Sequence, residues 1–140
     1  MRRLAGSALL VMLAACGGDS TGPNASIAGS YTLQTVNGVN VPAVVFQDTQ
    51  EKDELTGGNI SLNTNKTWTG VLTARITDLT SSTSTTFNAP ANGTYTSSGG
   101  TITLTDAVDG SQLTGSIGGG TLTISGDIGV GAVITLVFKR

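Results

Sequence analysis

From Ile27 onward the chain alternates polar and apolar residues with a period of two. Thr101-Ile102-Thr103-Leu104-Thr105 is one such run, and Thr121-Leu122-Thr123-Ile124-Ser125 and Asn59-Ile60-Ser61-Leu62-Asn63 repeat it. Successive side chains of a strand point to opposite faces, so this pattern predicts strands with one face buried and one face wet. Turn signals separate the runs: Asn37-Gly38, Thr64-Asn65-Lys66, Ser98-Gly99-Gly100, Asp109-Gly110 and Gly118-Gly119-Gly120. Such residues supply the positive φ angles of tight hairpins.

The pattern predicts eight strands, at about 28–36, 57–63, 67–77, 91–97, 101–106, 111–117, 120–126 and 132–139, with a short extra one at 41–46. The clearest covers Thr67 to Thr77. It places Trp68, Gly70, Leu72, Ala74 and Ile76 on one face and mostly threonine on the other. The last, Ala132 to Lys139, is apolar on both faces and is expected to be central or covered on both sides. Phe46 to Leu55, with Asp48, Glu51, Lys52, Asp53 and Glu54, reads as a short helix or a loop, and Ser81 to Ala89 as a Ser/Thr-rich segment that the strand from 91 could extend into. Close spacing and tight turns make sequence neighbours pair in space. The expected fold is therefore all-β: an antiparallel up-and-down meander of about eight strands closing into a barrel with no free edge. A two-sheet β-sandwich is the alternative.

Composition narrows the function. Charged residues are 11% of the chain, against about 25% in a typical soluble domain. The net charge is −2, and Lys52, Lys66, Arg75, Lys139 and Arg140 are scattered, so nucleic-acid binding is not expected. Aromatic residues are only 4%, too few for the girdles of a membrane-spanning barrel. Histidine is absent and Cys16 is the one cysteine. His- or Cys-based catalysis, His/Cys metal sites and an internal disulfide are thereby excluded. The carboxylates at 48–54 lack calcium-loop spacing and read as a solvated acidic segment. Asp109-Gly110 is explained by turn geometry. Neither an enzyme nor a cofactor is expected.

The N-terminus carries a different signal. Met1-Arg2-Arg3 precedes an apolar run to Leu13, followed by Ala14-Ala15-Cys16. A basic start, a short apolar stretch and small residues make a secretory signal, and about ten apolar residues fall short of the roughly 20 that span a bilayer. Leu13-Ala14-Ala15-Cys16 resembles the lipobox of bacterial lipoproteins. That resemblance implies cleavage before Cys16 and lipidation of its thiol. Residues 1–15 are then a signal peptide and 16–26 the lipidated cysteine with a small, polar tether, and 27–140 the domain. Loss of Arg2 and Arg3 takes the net charge from −2 to −4. The expected location is the bacterial cell envelope, anchored to a membrane through lipid on Cys16. Gly17 rather than Asp after the cysteine favours the outer membrane, with the domain facing the periplasm or the cell surface.

Gly29-Ser30-Tyr31, with Leu33 two positions on, resembles the opening of lipocalin-like domains, where a Gly-x-Trp motif lies on strand one. Tyr31 stands where the family has Trp, and the family's second motif is not evident. The resemblance implies that Lys139 or Arg140, from the last strand, packs across Tyr31 and closes the barrel. A closed eight-stranded barrel can hold one small ligand. The apolar positions of the Trp68 strand, Trp68, Leu72 and Ile76, are the candidate interior contacts, with Trp68 either a core anchor or a ring that stacks on the ligand. The function expected from these features is non-enzymatic binding of a small hydrophobic molecule. The alternative is a solid-cored structural or protein-interaction module at the envelope, contacting a partner through segments 46–56 or 78–90.

Overall fold

In the computed structural model, which describes residues 26–140, the alternation is realised as ten strands and no helix. They are β1 (Gly29–Val36), β2 (Val39–Asn40), β3 (Ala43–Gln47), β4 (Glu51–Leu62), β5 (Thr67–Asp78), β6 (Thr83–Ser98), β7 (Thr101–Asp106), β8 (Gln112–Gly118), β9 (Thr121–Asp127) and β10 (Val133–Lys139). From β4 to β10 each strand pairs antiparallel with the next. Strand β1 pairs with β10 on one side and β4 on the other, closing an eight-stranded barrel. The two short extra strands lie between β1 and β4 in sequence: β2 folds back on β1, and β3 adds to β4. This is an all-β, lipocalin-like closed barrel, as the pattern predicts, and not a sandwich. The signal at 1–15, Cys16 and the tether up to Ala25 lie outside the described residues.

The inner rows are built from the apolar member of each alternating pair. Ile102, Leu104, Leu122, Ile124, Leu136 and Phe138 are all buried, as are Tyr31 and Leu33 on β1. Each such aliphatic side chain contributes roughly 1.5–3 kcal/mol on leaving water. The buried apolar residues run from Tyr31 to Phe138 and the strand ladder closes on itself.

Two segments differ from expectation. The acidic stretch is not a helix or a loop: only 48–50 turns, and Glu51–Leu62 is a twelve-residue strand. Its charges alternate between the two faces, with Lys52 and Glu54 on the outer one. There Glu54 receives Arg75 from β5 at 2.7 Å and Lys52 from its own strand at 3.4 Å. A β-bulge between Leu55 and Gly57 breaks the simple alternation that would have revealed the strand. The Ser/Thr segment before Pro90 is likewise strand, since β6 starts at Thr83 and pairs with β5 from Asp78 inward. Threonine favours extended backbone. Cross-strand hydrogen bonds join Thr77 to Ser84 at 2.9 Å and Thr73 to Asn88 at 3.0 Å. Strands β3 to β6 therefore extend past the barrel as a flap. Strand β10 is central, the first of the two arrangements expected for it. It lies between β1 and β9, but its outer face is not covered, and Val133 is 73% exposed.

Candidate functional site

One end of the barrel is shut by aromatic side chains. Tyr31 is buried on β1 and donates from its hydroxyl to the Ile27 carbonyl at 2.7 Å. Tyr95 on β6 donates to the Asn63 carbonyl at 2.6 Å. Burial, and behind it the charge of Tyr31, raises the Tyr95 phenol above its ordinary pKa. Arg140 lies across Tyr31 with its guanidinium carbon 5.1 Å from the ring centre. It donates to the Ala28 carbonyl at 2.6 Å, the Tyr31 hydroxyl at 3.1 Å and the Ser26 carbonyl at 3.3 Å. Gly29 makes the approach possible. Its φ of 148° suits glycine, and a Cβ there would stand 2.8 Å from the Arg140 Nη2. Lys139 is exposed at the end of β10. We expect Arg140→Ala to lower stability by about 1–2 kcal/mol in denaturant unfolding, from the lost cation–π contact and charged hydrogen bonds. Arg140→Lys should recover only part, because an ammonium lacks the guanidinium fork.

The other end is open. A cavity of about 580 Å³ runs from the barrel interior to a mouth between the β5–β6 flap, the β7–β8 turn and the β9–β10 turn. Its floor is Ile60, Trp68, Leu104, Ile124, Leu136 and Phe138. Its flap side carries Gly70, Leu72, Ala89, Pro90 and Ala91. The small residues there are why side chains leave the space unfilled. Ligand pockets typically measure about 300–1,000 Å³ with mostly apolar walls.

Three carboxylates line the mouth: Asp106, Asp109 and Asp127. Each is fixed by backbone N–H groups of its own turn. Val108 donates to the Asp106 Oδ1 at 2.7 Å and Ser111 to the Asp109 Oδ1 at 2.8 Å. Gly129 and Val130 donate to the Asp127 Oδ1 at 2.8 and 3.0 Å. The Ser111 amide stabilises ionised Asp109 and holds its pKa below the ordinary carboxylate value. Asp78, at the flap tip, is pulled down to about 2 by the Thr80 hydroxyl and then by the Ser81 and Thr80 amides. Asp109 and Asp78 therefore stay negative at neutral pH. No set of three metal-ligating side chains gathers among the described residues.

Of the residues singled out in the sequence, Trp68 and Leu72 line the cavity. Trp68 is buried as well, so it belongs both to the core and to the cavity wall. Its indole N–H donates to the Thr105 carbonyl at 3.2 Å. Ile76 is not part of the lining: it lies on the flap, paired with Asp53 and Thr85. Tyr31 and Arg140 meet at the shut end, away from the mouth. The acidic mouth is absent from the sequence reading, although a signal for it exists. Asp78, Asp106 and Asp127 close β5, β7 and β9, and alternate strands of a meander end on the same side.

No family model, curated protein or solved structure matches the chain.

Proposed function

We propose that this protein is a lipid-anchored, non-enzymatic carrier that holds a small hydrophobic molecule in its barrel, at the bacterial cell envelope. The observation that carries the reading is the 580 Å³ cavity with its apolar floor, lined at its mouth by the β7–β8 and β9–β10 turns. A solid-cored interaction module would have side chains in that volume. The anchor rests on the lipobox-like Leu13-Ala14-Ala15-Cys16. Ser26, ten positions after Cys16, is held by Arg140 at the shut end. Tethering from that side points the mouth away from the bilayer, toward the aqueous compartment of the envelope.

Native mass spectrometry tests the carrier reading on the chain from Gly17 onward, purified gently from its host. The expected result is an added mass that is lost on denaturation and passes into an organic extract. An apo mass alone, together with no response of Trp68 emission to added hydrophobic molecules, would overturn the reading. Trp68 is the only tryptophan, so its fluorescence reports the cavity floor directly.

A further inference from the structure

Charge is sorted along the barrel axis. Within 26–140 the carboxylates are Asp48, Glu51, Asp53, Glu54, Asp78, Asp106, Asp109 and Asp127. Every one sits on a turn or strand end on the mouth side. Cations are distributed the other way. Lys66, Lys139 and Arg140 belong to the shut end, with Lys66 Nζ 5.2 Å from the Tyr95 ring centre and Arg140 over Tyr31. Lys52 and Arg75, the two on the mouth side, are both engaged by Glu54 on the outside of the flap. No lysine or arginine lines the cavity.

An apolar cavity with such a mouth selects among hydrophobic molecules by their polar end. A tail on the floor of Trp68, Leu104 and Phe138 brings the other end of the molecule out between Asp106, Asp109 and Asp127. A carboxylate or phosphate head would meet three fixed negative charges with no cation to offset them. A cationic head would meet the same charges favourably, and low-dielectric walls focus that field into the cleft. The turn amides engage only Oδ1 of each aspartate. An ionised carboxylate has lone pairs on both oxygens, so each keeps capacity for a further donor.

We infer that the barrel's ligand is an amphiphile with a cationic head, an amine or quaternary ammonium on a hydrocarbon body, and that Asp106, Asp109 and Asp127 are its specificity-determining residues. This inference rests on the carrier reading above, and the geometry behind it is the juxtaposition of the apolar floor with an acidic, cation-free mouth.

The test compares three probes with the same twelve-carbon tail: dodecyltrimethylammonium, dodecanol and dodecanoate. Each is titrated below its micelle-forming concentration into the chain from Gly17 onward, with Trp68 emission and native mass as readouts. The expected order is ammonium tightest, alcohol next and carboxylate weakest, with at least a tenfold gap between the charged probes in low salt. The gap should narrow at high salt, because charges at an open mouth are screened. It should also narrow in Asp106→Asn/Asp127→Asn, which keeps the amide-accepting oxygens of the turns and removes two charges. Binding of the alcohol should be nearly unchanged in that variant. Equal affinity for all three probes, or a preference for the carboxylate, overturns the cationic-head inference and leaves the carrier reading standing. Binding of none of them, with Trp68 unresponsive, counts against the carrier reading itself.

Discussion

Replacing Trp68 by alanine is expected to cost about 3–5 kcal/mol, the range for removing a buried large aromatic side chain. The ring is 6% exposed and sits where four strands converge. It is paired on one side with Leu62 of β4 and on the other with Gly93 of β6, and bonded to the Thr105 carbonyl of β7. Gly93 is what lets β7 come so close. A Cβ at that position would overlap the Thr105 carbonyl oxygen and lie 3.0 Å from the indole nitrogen. Alanine at 68 therefore leaves a void that rigid backbone on three sides cannot collapse into, and a carbonyl without its donor. Domains of this size have roughly 5–15 kcal/mol in total, so the loss is about a fifth of the stability or more. For a chain of this length that is a drop of about 10–20 °C in thermal midpoint. Trp68→Phe keeps most of the apolar area and loses the N–H, and should cost clearly less. Equal midpoints for Trp68→Ala and the parent would mean that the ring is not a core element, and that the β4–β7 side of the barrel packs differently.

The same residue shows how far the sequence could be read. Strict alternation put Trp68 on the apolar face, and the barrel follows once eight such strands are joined by short turns. The Gly-x-Tyr opening and the basic chain end similarly identified the pair that the fold brings together at the shut end, 5.1 Å apart. Alternation fails where a strand is not half-buried. Thr83 to Asn88 is exposed on both faces, and Glu51 to Leu62 carries a bulge and a cluster of paired charges. A period-two reading finds residues 57–63 but has nothing to grip before the bulge or in Thr83 to Asn88. The flap they form also explains why Ile76 lies outside the cavity lining. It continues the apolar row of Trp68 and Leu72, but the row has left the barrel by then.

The mouth was illegible for another reason. Each of its aspartates has a sufficient local explanation, because Asp106, Asp109 and Asp127 all cap their own turns. Local chemistry therefore hid a long-range consequence. Only when the meander closes do the β7–β8 and β9–β10 turns come to the same rim. Turn chemistry then becomes an electrostatic property of the cavity, and the exclusion of cations from that rim becomes visible only in three dimensions.

Filling the cavity should separate binding from folding. Ala91 on β6 is half-buried, pairs with Gly70 and lines the cavity. In Ala91→Phe a ring projects across the middle of a space that no side chain now occupies. Overpacking is costly where a core is already filled. Added apolar volume in an unfilled space is instead neutral or stabilising by about 0.5–2 kcal/mol. Stability is thus expected to hold or rise, while affinity for a twelve-carbon hydrophobic probe falls by at least tenfold, equivalent to about 1.4 kcal/mol. Asn92→Phe is the matching control. It adds the same ring one residue along, on the exposed outer face, where it pairs with Thr69. Binding to Asn92→Phe should equal that of the parent. If Ala91→Phe bound the probe as the parent does while folding normally, the probe would be sitting elsewhere. The apolar face of the flap, where Phe46 and Phe87 are each 43% exposed, would then be the place to look. Loss of binding confined to the inward substitution would locate the ligand between Gly70, Ala91 and Trp68, and would do so without touching any charge at the mouth.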